Sequence, residues 1–320
     1  DEGWSKQHEE ARMLIEQKYG DKIRTQVVDN VTNTVDAERV IRDLAAQGNK
    51  IIFATSFTYM NPALKVAKEF PDVKFENCTG YKTAANYSNY NARFYQARYL
   101  AGKLAASMSK TAHLGYVAAM PIPEVLQGIN AYTLGAQSVN PDVKVSVVWT
   151  NTWYDPGKEV DATNTLIGQG CDILTHHTDS TAVPATAESR GVKVISYHSA
   201  MTKTAPKQLI GAVTHHWDEY YAHRIQALYD GKWKVEPVWG GAELHMVRLS
   251  ITPDAPKSVV EDINAVYSKM EKKEFNVFSG PIVDNEGKVQ IPEGKVADDK
   301  MLNTMNYFVK GVIGKVPTGK

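Results

Sequence analysis

Four of the nine histidines in this 320-residue chain form adjacent pairs, His176-His177 and His215-His216. Imidazoles suit metal ligation and acid–base work near neutral pH. Neighbours on a strand point to opposite faces, however, so a doublet seldom gives two ligands to one ion. The plainer reading is one ring buried or hydrogen-bonded and the other exposed. His177 with Asp179 has the composition of an acid–base pair, but no credible nucleophile accompanies them. Other signatures of chemistry are absent. Gly168-Gln169-Gly170 is followed by Cys171, Asp172 and a strand, so it is not a GxGxxG turn. There is no GxxxxGK[ST], no GxSxG elbow and no HExxH. The expectation is therefore no catalytic residue, no metal and no cofactor.

The elements that would position these residues alternate between two periods. Ile23 to Val28, Ile51 to Ala54 and Val73 to Phe75 are short apolar runs of the kind that form buried parallel strands. Between them, Val40, Ile41, Leu44 and Ala45 recur at helical spacing, as do Ala63, Val66, Ala67 and Phe70. Thr34 and Asp36 suit a helix start and Gly48 its stop. A long helix is predicted from about Asn91 to Met108, with Phe94, Ala97, Leu100, Ala101, Leu104 and Ala105 on one side. The cycle restarts with strands at His113 to Val117, Val143 to Trp149, Asp172 to Thr175 and Val192 to Tyr197. Helices are predicted at Glu124 to Gln137 and Lys158 to Gln169. Such alternation implies βαβ units, parallel sheets and two α/β lobes, with a break near Ser109-Lys110-Thr111. The residues from Gly3 onward resemble the loop and helix that follow a strand, so either a first strand precedes them or the series is irregular.

In parallel α/β sheets, ligands sit beyond the carboxyl ends of the strands. Reading the residues there gives Trp4-Ser5, Ser56-Phe57, Asn89-Tyr90, Trp153-Tyr154, His177-Thr178-Asp179-Ser180, His198-Ser199 and His215. Aromatic rings suit stacking on a flat ligand, and Asp179 with amides suits hydrogen bonding to its edge. Each residue alone is equally consistent with ordinary loop packing.

Composition narrows the partners. Lys plus Arg and Asp plus Glu are 36 each, so a nucleic-acid binder with its basic excess is not expected. A surplus of 16 Tyr and 6 Trp over 8 Phe favours a binding cleft, because these rings carry a polar handle. No apolar run reaches the roughly 18 residues needed to span a bilayer. The chain opens at Asp1 without methionine, as a processed protein would. Cys78 and Cys171 belong to no CxxC pair and are expected as two free, largely buried thiols.

One stretch, Tyr99-Leu100-Ala101-Gly102-Lys103-Leu104-Ala105-Ala106, resembles the Y-L-A-G-x-x-A-A helix of the basic membrane lipoprotein (BMP, or Med) family of ABC-importer substrate-binding proteins. Ile51 to Phe57 with Val66 to Asp72 resembles that family's second βα unit. Gly128 to Gly135 with Asn140-Pro141 resembles its G-x-x-x-G-A-x-x-x-N-P region. Phe278-Ser279-Gly280-Pro281-Ile282 with Asp284 and Gly287 resembles its F-x-G-P-I-x-D-x-x-G turn, and Val309 to Gly314 its closing helix.

The resemblance implies a type I periplasmic-binding-protein fold, α/β, with two doubly wound parallel-sheet lobes, a hinge of three crossings and a ligand between the lobes. On this reading residues 1–112 and 215–245 form the N-terminal lobe, and 113–214 and 246–320 the C-terminal lobe. It implies a purine ligand held by aromatic rings, with Trp4 in a stacking position where the family usually has Phe. Ala200 stands about where nucleoside receptors hold ribose with aspartate, and His215 where many have lysine, which favours a free nucleobase such as adenine. The expected binding residues are Trp4, Ser5, Phe57, Tyr90, Trp153, His177, Asp179, His198 and His215. The expected partners are a small purine-like molecule and an ABC permease, with no nucleic acid. The receptor would be a monomer, periplasmic or membrane-anchored outside the cytoplasm. A purine nucleoside receptor, a nucleoside- or sugar-processing enzyme and a membrane-coupled sensor are the alternatives.

Overall fold

Strand–helix alternation runs through the chain, shown by a computed structural model that describes residues 2–318. In chain order the first elements are α1 (Trp4–Tyr19), α2 (Thr34–Ala46), β1 (Ile51–Ala54), α3 (Met60–Glu69), β2 (Lys74–Cys78), β3 (Tyr87–Ala92) and α4 (Tyr95–Met108). There follow β4 (His113–Ala118), α5 (Pro123–Val139), β5 (Lys144–Trp149), α6 (Pro156–Gly168), β6 (Ile173–His177), α7 (Ala182–Arg190), β7 (Lys193–His198), β8 (Leu209–His215) and α8 (Asp218–Tyr229). The last are β9 (Val238–Gly240), β10 (Val247–Ile251), α9 (Lys257–Glu271), β11 (Ile282–Val283), β12 (Val289–Ile291), α10 (Asp299–Asn303) and β13 (Val312–Ile313).

The chain divides into two compact units. The larger takes the segment up to Gln7, Phe94–His215 and Val247 onward; the smaller takes His8–Arg93 and His216–Met246. The chain changes unit after Gln7, Arg93, His215 and Met246, one more change than the three crossings expected, and the extra one falls inside α1. The boundary read at 112 falls at 93 instead. The reason is α4, which packs on α5 of the larger unit through two glycines. A Cβ on Gly102 would lie 1.9 Å from the Tyr132 carbonyl oxygen, and one on Gly135 1.9 Å from that of Tyr99. Only hydrogen at both positions lets the two backbones approach this closely.

In the larger unit the sheet order is β10-β8-β7-β6-β4-β5-β13. All neighbours are parallel except β10, which runs antiparallel to β8. The order reverses at β4, with β5 on one side and β6 to β8 on the other, so the ligand rule for doubly wound sheets points to the carboxyl ends around β4 and β6. Val117, Leu166, Leu174, Val183, Ala187 and Val194 close one face against α6 and α7.

In the smaller unit the sheet order is β1-β2-β3-β9, all parallel. Ile41, Ile52, Ala63, Val66, Phe75 and Tyr87 form its core. Asn33 caps α2 by accepting the Asp36 N–H, at the start predicted from Thr34 and Asp36. Cys78 in the smaller unit and Cys171 in the larger are both buried and in no disulfide among the described residues. Burial, with Asp172 beside it, pushes the Cys171 thiol up to about 12.

Three expectations about elements are corrected. Ile23 to Val28 carries strand-like residues but joins no ladder among the described residues, and Val27 and Val28 are exposed. An apolar run is a strand only where a partner accepts it. The long helix starts at Tyr95 rather than Asn91, because Asn91 and Ala92 pair with β9. Val309 to Gly314 is not a helix: Val309 bridges Asp284, and Val312–Ile313 adds to β5 as β13.

Candidate ligand-binding site

The carboxyl ends of β6, β7 and β8 bring His177, His198 and His215 together in the larger unit, and the start of α1 adds Trp4. The Trp4 ring stands edge-on to His198 and His215, at centroid separations of 5.5 and 5.3 Å. His198 and His215 are themselves stacked 5.0 Å apart, with their Nδ1 atoms 3.1 Å from one another. A contact of that length has one imidazole donating and the other accepting. Phe94 lies parallel to His215 at 4.1 Å, and Tyr197 touches His198 at 3.4 Å and His177 at 4.4 Å.

His198 has φ of 72°, in the left-handed region that residues with a Cβ rarely adopt. Such a conformation costs on the order of 1–3 kcal/mol and is held by its surroundings. Here the Ser196 hydroxyl donates to the Ser199 carbonyl at 2.6 Å, fastening the turn beyond β7. The Ser199 hydroxyl in turn donates to the Glu2 carboxylate, which also takes the Lys6 ammonium at 3.0 Å.

The two members of the first histidine pair separate as the strand alternation requires. His176 is fully buried; its Nε2 accepts the Tyr197 N–H at 3.2 Å, so Nδ1 carries the proton toward the Thr178 carbonyl at 3.1 Å. Burial holds it neutral, down to about 3. His177 points among Tyr197, Trp153 and Phe94, and its Nδ1 has no hydrogen-bond partner among the described residues. Burial drives both His177 and His198 well below the usual imidazole range, helped at His177 first by the Arg98 charge and at His198 first by His215 and His177, then by Arg98. These two rings are therefore neutral at physiological pH, each with one donor and one acceptor.

Asp179 follows His177 by two residues. Its N–H donates to the Trp153 carbonyl at 2.8 Å, and its carboxylate lies 3.9 Å from His198 Nε2. Burial and the nearby Glu159 raise its carboxyl to about 6. The cluster thus offers flat apolar faces, neutral imidazoles and one carboxylate acceptor. Among the described residues no group of three His, Cys, Asp or Glu side chains is arranged to hold a metal ion.

Of the nine residues read from the sequence, the structure joins Trp4, Trp153, His177, Asp179, His198 and His215 in this cluster. Ser5 sits exposed on the first turn of α1. Phe57 and Tyr90 belong to the smaller unit. Phe57 is half exposed on the turn after β1, tilted against Tyr81. Tyr90 corrects its expected place beyond a strand end: it lies inside β3, paired with Cys78 and Val238. Its ring is fully buried on Tyr220, and its hydroxyl bonds that of Tyr221 at 2.7 Å. Ala200 is exposed just past the β7 turn. Sequence reasoning missed Phe94, Tyr197 and Arg98. Phe94 and Tyr197 read as core, but an arginine beside the alanines and rings of a mainly apolar helix was a visible signal.

Two α/β units with parallel sheets, of which the larger is doubly wound with a ring cluster at the carboxyl ends of its strands and the smaller runs in the unreversed order β1-β2-β3-β9, define the type I periplasmic-binding-protein class. The chain resembles in fold an ABC-transporter solute-binding protein of Conexibacter woesei, with a TM-score of 0.74 at 21% identity, covering 86% of this chain and 93% of the other. Residues 1–285 match the family of PnrA-like ABC transporter substrate-binding proteins, Bmp. A purine-binding protein of Brucella abortus is 48% identical over 317 residues, 99% of this chain and 91% of that protein. A putative ABC transporter glucose-binding protein of Haloferax volcanii is 34% identical over 319 residues, 99% of this chain and 78% of that one. The protein belongs to the Bmp family of PnrA-like ABC transporter substrate-binding proteins.

Proposed function

We propose that this protein is the extracytoplasmic receptor of an ABC importer, that it acts as a monomer without chemistry, and that its ligand is a purine nucleobase of the adenine type. The observation that carries this reading is the cluster of Trp4, Phe94, His198 and His215 beside Asp179. A planar heterocycle gains from stacking on such rings, by about 0.5–1.5 kcal/mol per aromatic pair beyond burial. Neutral imidazoles complement ring nitrogens of either kind, and the Asp179 carboxylate complements an exocyclic amine. The near relative named as purine-binding supports the same class. Ala200, where a ribose-binding carboxylate would be expected, supports a base rather than a nucleoside. His177 and Asp179 are read as recognition groups, not as an acid and a base.

The test uses protein unfolded, stripped of any carried ligand and refolded, then titrated calorimetrically with adenine, hypoxanthine, adenosine and glucose. A free base is expected to bind with a micromolar or tighter Kd, about −8 kcal/mol or better. At 100 times Kd it adds about 2.7 kcal/mol and raises Tm by several degrees. Binding of nucleosides alone overturns the base reading, and binding of glucose alone moves the ligand to the class named for the Haloferax relative. The recovered ligand should be chemically unchanged after prolonged incubation; any product would restore the enzyme alternative.

A further inference from the structure

Arg98, in the first turn of α4, is fully buried, yet among the described residues no carboxylate forms an ion pair with it. Its two terminal nitrogens donate to the Thr175 hydroxyl at 3.0 Å and the His176 carbonyl at 2.7 Å, and Nε has no partner. In place of an anion it has three ring faces: Tyr197 at 5.0 Å, Tyr116 at 5.1 Å and Phe94 at 5.4 Å. Buried charges are ordinarily paired, and ring quadrupoles only partly replace a counter-ion. The positive field is therefore left largely unneutralised, and its direction matters. Phe94 and Tyr197, which cage the guanidinium, are also the rings that touch His215, His198 and His177. One layer of rings separates the cation from the candidate site.

The space for Arg98 is itself built. A Cβ on Gly128 of α5 would lie 3.5 Å from Arg98 Cγ and 3.0 Å from the Tyr116 hydroxyl. The contact with Arg98 would be ordinary, whereas the one with the Tyr116 hydroxyl would be tight, so a side chain there would press on one of the rings that cage the guanidinium.

We propose that Arg98 is a positioning residue that sets the charge preference of the site, acting through Phe94, Tyr197 and the histidines so that neutral or anionic heterocycles are accepted and cationic ones rejected. The role rests on the ring cluster being the ligand-contacting face. The charged and titratable groups around the rings and the guanidinium are His176, His177 and Asp179 at the end of β6, Tyr197 and His198 on β7, His215 on β8, Tyr116 on β4, Glu124 and Tyr132 on α5, Glu159 on α6, and Glu2 with Lys6 around the start of α1. The carboxylates favour cations; Arg98 is what opposes them. Phe94 and Tyr197, polarised by the guanidinium, present a less negative face to the histidines they touch, His215, His198 and His177, and these carry the effect to a ligand.

The decisive measurement is NMR titration of the histidine rings in ligand-free protein, which does not depend on the ligand's identity. In the wild type, His177 and His198 should titrate well below the ordinary imidazole range. Arg98→Gln keeps a donor toward Thr175 and removes the charge; at least one of the two rings should then titrate about one pH unit higher or more. Arg98→Lys keeps the charge and should restore the wild-type titration. In the same variants, the preference for adenine over a permanently cationic N-methylated adeninium should shrink about tenfold in Arg98→Gln and not in Arg98→Lys. Unchanged ring titration in folded Arg98→Gln overturns the proposal. So does a wild-type His177 or His198 that titrates near pH 6.5, which settles the matter even where the variant does not fold. If the rings behave as expected but no purine binds, the ligand assignment fails and the role of Arg98 stands.

Discussion

The rings of Phe94 and His215 lie face to face, 4.1 Å between centroids and 12° from parallel. One face of the imidazole is thereby covered by hydrocarbon, and the ring is fixed in orientation before any ligand arrives. Phe94 immediately precedes α4, whose glycine contacts with α5 fix its place, so the site inherits its rigidity from helix packing. Preorganisation of this kind lowers the ordering cost of binding.

Trp4 is the most exposed ring against the histidine pair, and it contacts them by its edge. Trp4→Ala should weaken purine binding by roughly 2–4 kcal/mol while leaving Tm nearly unchanged, because it removes a stacking surface rather than core. Calorimetry on the refolded variant checks this, and an unaltered Kd removes Trp4 from the site.

Asp179 gives a pH dependence with a definite sign. Its carboxyl, raised to about 6, is ionised above that pH and can then serve as the acceptor proposed for a ligand amine; it is protonated below and loses that capacity. Affinity for adenine should be level from about pH 7 to 8.5 and fall below about pH 6. For stability the sign is opposite. A carboxyl raised in the folded state binds more protons folded than unfolded between its two pKa values, so stability declines as pH rises from about 4 to about 6. Asp179→Asn should therefore raise Tm at pH 7.5, lose that advantage near pH 4, and bind adenine more weakly at pH 7.5. Paired melting and titration series test both halves.

Gly135 tests the helix interlock. Gly135→Ala would set a methyl against the Tyr99 carbonyl and should cost about 1–3 kcal/mol or more through backbone displacement. Gly168→Ala, at the end of α6 with nothing within 4 Å of its Cβ, should be neutral or slightly stabilising. Equal melting temperatures for the two variants would show that α4 and α5 separate without penalty.

The sequence made the alternating architecture legible because parallel strands are short and β-branched and their helices carry a repeat. It placed Trp153, His177, Asp179, His198 and His215 near one another because strand ends can be read from strand positions, whereas Trp4 enters the cluster from the start of α1, with no strand before it among the described residues. The rest depends on tertiary facts. Residues Tyr95 to Ala106 of α4 are buried all round, so no polar face betrays which neighbour each side chain meets, and Arg98 is hidden among them. The left-handed backbone of His198 is set by the turn beyond β7 rather than by residue type. Tyr90 shows the converse: a ring placed by period falls inside a strand when its boundary is misjudged by two residues.

The two thiols have a use of their own. Cys78 and Cys171 are 0% and 3% exposed, and they sit in different units. A thiol reagent can reach either one only after its surroundings open, so the rate of modification reports the opening of that unit alone. The molecule thus carries one intrinsic clock in each half. Comparing the two rates with and without ligand would read how far binding steadies each half separately, with no label added.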